Sequence, residues 1–139
     1  MKLFLAGLFL LAPAVFAQTP SDTPFQPVAT MKQLMLDVIY PASNSVLLAI
    51  NRDPADEKEW ADVRRGALML AESGNLLIMR NRTAAWVADA RLLMEAGAAA
   101  YKAADAKDIR ALALVADRID ASCTTCHKQF RPALFTPAR

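Results

Sequence analysis

Apolar side chains recur along most of this chain at steps of three and four, the signature of helices that bury one face. Met31, Met35, Val38, Ala42, Val46 and Ala49 predict a first helix from about Val28 to Ile50. Pro41 lies inside it, lacks a backbone donor and clashes with the carbonyl near Asp37, so a kink around Tyr40 or two shorter helices are expected. Asn51-Arg52-Asp53-Pro54 breaks the pattern, with Asp53 as cap and Pro54 at the first position of a second helix. Trp60, Val63, Ala67, Leu70, Gly74 and Leu77 form its stripe, and Arg80-Asn81-Arg82 closes it. Thr83 is the expected cap of a third helix, striped by Trp86, Ala90, Leu93, Gly97, Ala100 and Tyr101 and ending near Ala104. Asp105 is the expected cap of a fourth, in which Ile109, Leu112, Ala116, Ile119, Cys123, Cys126 and Phe130 keep the spacing until Pro132.

No stretch alternates apolar and polar positions as a half-buried strand would. Four amphipathic segments with short connections therefore predict an all-α fold, an antiparallel up-down-up-down four-helix bundle. Within the third helix, Ala96 to Ala100 are all Ala or Gly. Side chains so small demand either close helix approach or a bound group in the space they leave.

The N-terminus follows a different pattern. Lys2 precedes an apolar run from Leu3 to Phe16, and Val15 and Ala17 offer small side chains at a cleavage site, which predicts a signal peptide over 1–17 cut after Ala17. The run is shorter than the roughly 20 residues a bilayer span needs, so no stable membrane anchor is expected. Residues 18–27 hold three prolines and read as an extended lead-in, leaving 28–139 as one helical domain. Export takes the chain out of the reducing cytoplasm, to the periplasm in a Gram-negative host. With 16 basic and 14 acidic residues the charge is near balance, and no basic stripe with interleaved aromatics suggests nucleic acid. No acid, base and nucleophile constellation marks an enzyme.

Chemistry concentrates in Cys123-Thr124-Thr125-Cys126-His127. The C-x-x-C-H spacing attaches haem c: two thiols add to the vinyl groups and the adjacent imidazole ligates iron. On a helix, residues three and four apart share a face, so Cys123, Cys126 and His127 project together. A thioredoxin-like pair would need a cysteine at a helix N-terminus beside strands. A structural zinc site would need four ligands, and these three exhaust the cysteines and histidines of the chain. A disulfide between cysteines three apart distorts a regular helix.

His127 is the only histidine, so bis-histidine ligation is excluded. Methionine, lysine, an exogenous ligand or an open sixth position remain. In the expected topology the first helix starts level with His127, which places Met31 and Met35 nearest, although both also suit flexible core filling. Arg131, four residues beyond His127, is positioned for a haem propionate and equally for the helix dipole. Trp60 and Trp86 suit either a haem edge or the core.

With its leader, four helices and C-terminal CTTCHKQFR, the chain resembles the cytochrome c prime family, the class II c-type cytochromes. The likeness spans the mature chain and is sharpest at Cys123, Cys126, His127, Arg131 and Met31-Lys32-Gln33-Leu34-Met35. It implies one covalently attached haem c, His127 as axial ligand and, in the low-spin branch, Met35 as sixth ligand. Electron exchange with periplasmic redox partner proteins would follow, and a homodimer through the first two helices is open. The alternative, from the high-spin branch, is a five-coordinate cytochrome that binds small gases such as nitric oxide or carbon monoxide. A haem-free structural bundle is the third option.

Overall fold

The computed structural model describes residues 25–135; the expected signal peptide over 1–17, its expected cleavage site and residues 18–24 of the expected lead-in lie outside them. Phe25 to Pro27 carry no helix, and the Arg80 guanidinium stands 5.8 Å over the Phe25 ring. Among the described residues there is no strand. Helix α1 (Met31–Gln33), a π-helical segment (Leu34–Ile39) and α2 (Tyr40–Arg52) form one continuous run; α3 (Glu57–Arg80), α4 (Ala84–Asp105) and α5 (Ile109–Phe130) complete a bundle of four packed helices.

Contacts between neighbours fix the directions. Arg52 meets Glu59 while Ser45 faces Gly66; Trp86 meets Leu77 while Gly97 faces Ala71; Phe130 meets Trp86. Numbers rise on one helix as they fall on the next, so the order is up-down-up-down. The Gly97 crossing also settles the small-residue run. A Cβ there would lie 2.4 Å from the Ala71 nitrogen, so Gly97 serves close approach of α3 and α4, and Ala96 and Ala100 beside it are fully buried.

Pro41 acts differently from the expected break. The helix widens to π geometry just before it, and the Tyr40 N–H donates to Met35 O, five residues back. The wider turn accommodates a proline that lacks a donor and crowds the preceding carbonyls. It also shifts the buried face: Leu34 and Ile39, five apart, are buried, whereas Met31, Met35 and Val38 of the expected stripe are half-buried. Thr30 and Gln33 close a reciprocal capping box at the start of this run.

Two further caps differ from expectation. Asp53 ends α2 with φ 32°, and Asp56 caps α3 by accepting from Glu59 N–H at 2.8 Å, with Pro54 left in the connection. Asp105 is the last residue of α4; Asp108 caps α5, accepting from Ala111 N–H at 2.9 Å. The reason is the turn between them. Asp108 N–H donates to Ala103 O and Lys107 N–H to Ala104 O, a Schellman motif with Lys107 at φ 54° that carries the chain three residues past Asp105 before α5 can begin. Thr83 stands at the expected cap position of α4 without a side-chain cap bond.

The core joins Ile39, Ala42, Val46 and Ala49 of the first run and Trp60, Val63, Ala67, Leu70 and Leu77 of α3 with Trp86, Ala90, Leu93, Ala100, Leu112 and Ile119. Tyr101 is exposed, and Ala103 and Ala104 are buried in its stead. The first run is long and apolar enough to cross a membrane by length and composition; here it packs on α3 and α5, with Leu36, Tyr40 and Leu48 exposed on its outer side.

Candidate functional site

The site occupies the end of the bundle where the first run begins, α3 ends, α4 begins and α5 ends. Cys123, Cys126 and His127 lie in the last two turns of α5, half-buried, with both cysteines as free thiols. Two cavities meet there. Met31, Met35, Trp86, Cys126, His127, Phe130 and Arg131 line one of about 200 Å³. The other, about 40 Å³, is bounded by Met35, Ile39, Leu77, Asp89, Ala90, Leu93, Ser122, Cys123, Cys126 and His127. Met35, Cys126 and His127 belong to both.

Each wall has a local cause. Trp86 begins the buried stripe of α4, its indole Nε1–H donates to Leu77 O at 2.7 Å, and its ring meets Phe130 edge to face with centroids 4.8 Å apart. Met35 stands inside the π-helical segment, and such segments recur at functional sites. Arg131 lies past the end of α5, at its C-cap with φ −139°, so it is not on the helix face that the spacing suggested. Its backbone N–H donates to His127 O at 2.7 Å, and its exposed side chain still borders the larger cavity. Trp60 belongs to the opposite end of α3 and to the core.

Both thiols are held protonated. Burial pushes the Cys123 thiol up. Cys126 is pushed up to about 11, first by burial, then by the negative charge of Asp89 and by Cys123. Asp89 is the residue that the motif and the apolar stripes did not single out. It is 7% exposed, and its Oδ2 has no hydrogen-bond partner. A signal existed: an acid three residues after Trp86 and four before Leu93 falls on the buried face of α4.

Among the described residues no three His, Cys, Asp or Glu side chains converge as a cage for a metal ion. The donor set fits a haem better than a bare ion. Two thiols, one imidazole and the thioethers of Met31 and Met35 border the two cavities, with an aromatic pair along one wall. No family model, curated protein or solved structure matches the chain.

Proposed function

We propose that the chain is a bundle-type c-type cytochrome, exported to the periplasm, which carries one covalently attached haem and exchanges single electrons with periplasmic redox partner proteins. The observation that carries this reading is the convergence of Cys126 and His127 of the C-x-x-C-H sequence with Met35 on the same two cavities. The haem, when bound, supplies the one-electron chemistry of its iron. Cys123 and Cys126 would hold the haem covalently through their thiols, whose addition to its vinyl groups needs no oxidant. His127 would bind the iron through its imidazole and Met35 through its thioether, a pair that would favour the ferrous state. Trp86, Leu77 and Leu93 line the site and would exclude water from it, and Arg131, on the edge of the larger cavity, would pair with a haem propionate.

The test is covalent retention of haem. Produced in a periplasm competent for cytochrome c maturation, the native chain is expected to stain for haem after denaturing electrophoresis, and the Cys123→Ala/Cys126→Ala chain is not. An unstained native band would overturn the proposal. The sixth ligand has its own readout: a low-spin ferrous spectrum indifferent to carbon monoxide supports methionine, and rapid carbon monoxide binding assigns the five-coordinate alternative. Met35→Ala is expected to turn the spectrum high-spin; if Met31→Ala does so instead, Met31 is the ligand.

A further inference from the structure

A buried carboxylate without a hydrogen-bond partner is costly and needs a reason. Asp89 is such a group. It is 93% withdrawn from solvent, since its exposure is 7%, and its Oδ2 has no partner. The cavity it borders is shared with Met35 and Ile39 of the first run, Leu77 of α3, and Ser122, Cys126 and His127 of α5. No Lys or Arg lines that cavity. Ser122 offers no relief, because its hydroxyl donates to Ile119 O at 2.7 Å. Placement on α4 is firm: Asp89 follows Trp86 by one helical turn, and Trp86 is tied to Leu77 O and meets Phe130 edge to face.

Resting on the cytochrome reading above, we infer that Asp89 is a potential-setting residue, a fixed buried negative charge beside the haem site that favours the ferric over the ferrous state. Ferric iron carries one more positive charge than ferrous, so an uncompensated anion nearby stabilises it more. In a pocket that no Lys or Arg lines, that attraction is weakly screened. The residue thereby opposes the His127 and Met35 pair, which pulls the other way. The potential is then a balance between ligands read from the motif and a charge on a different helix.

The experiment compares the haem-loaded native chain with Asp89→Asn, Asp89→Ser and Asp89→Glu by redox titration, each with its optical spectrum and haem stain. Removing the charge in the Asn and Ser variants is expected to shift the equilibrium at least about tenfold toward the ferrous form. That is a rise of about 59 mV for a one-electron couple. Glu is expected to stay near the native value, and the Asn shift is expected to persist in 1 M salt, which surface charge effects would not. Potentials unchanged in both neutral variants with spectra preserved would overturn the inference, as would an equal rise in the Glu variant, since Asp89 would then be a packing group. Absence of haem from the native chain is a different outcome; it removes the cytochrome reading and the inference with it.

Discussion

The two ends of the bundle close in opposite ways. At the end formed by the α2–α3 and α4–α5 connections, charges pair. Glu57 meets both Arg64 and Lys107, Glu59 accepts from Ala55 N–H and lies 3.8 Å from Arg52, and Asp56 and Asp108 cap their helices. At the other end the same helices leave two buried polar atoms without partners, Asp89 Oδ2 and Arg80 Nε, beside two free thiols and two cavities. Folding alone favours the first arrangement, because buried polar groups are ordinarily satisfied. A chain that satisfies its polar groups at one end and leaves them open at the other has a use for the open end.

The largest contrast is expected in thiol chemistry. In the haem-free folded chain Cys126 is pushed up to about 11, against 9.0 for an ordinary thiol. Near pH 8 its thiolate fraction, and so its alkylation by iodoacetamide, should be about a hundredfold below that of the unfolded chain. Peptide mass analysis of timed alkylation measures this; equal rates would remove the electrostatic contrast between the ends. The linkage has a sign. The folded chain keeps a proton that the unfolded chain gives up, so Cys126 costs stability as pH rises from 9.0 and the loss levels near 11.

The wall that separates cavity from core is a smaller matter. Trp86 Nε1–H is the shorter of two donors to Leu77 O, at 2.7 Å against 3.3 Å from Asn81 N–H. Trp86→Phe removes that bond and some contact with Phe130, and should cost about 1 kcal/mol, seen as a lower urea midpoint. In the haem-loaded protein the same change should also broaden the optical spectrum. An unaltered midpoint would mean that the site end contributes little to the fold.

What the sequence disclosed follows from how local each signal is. Trp60, Val63, Ala67, Leu70, Gly74 and Leu77 are all buried on α3, because a period near 3.6 depends on the helix alone. Cys123, Cys126 and His127 come together for the same reason. Caps were less legible: Asp53 and Asp56, or Asp105 and Asp108, are equally able to accept, and the turn between helices selects one. The π-helical segment was hidden too, since Pro41 announces a missing donor but not whether the chain will break or widen. Asp89 was visible only as an acid on an apolar stripe, and its nearness to Cys126 depends on how α4 docks on α5.

The smallest effect belongs to the paired end. The Glu57 carboxyl is held below its ordinary 4.5, first by its hydrogen bond to Lys107 and then by that to Arg64. Its contribution is therefore present above the ordinary value and lost as pH falls through the lowered one, the reverse of the alkaline loss at Cys126. Glu57 and Lys107 are exposed and Arg64 is half-buried, so solvent and salt screen much of that contribution. Glu57→Gln should lower the melting temperature slightly at neutral pH, with native and variant curves converging in acid and in about 1 M salt. Haem retention and potential should not change with this substitution, because Glu57 stands at the end of α3 remote from Leu77 and the cavities. A Glu57→Gln chain with an altered potential would show that the ends are coupled through the bundle.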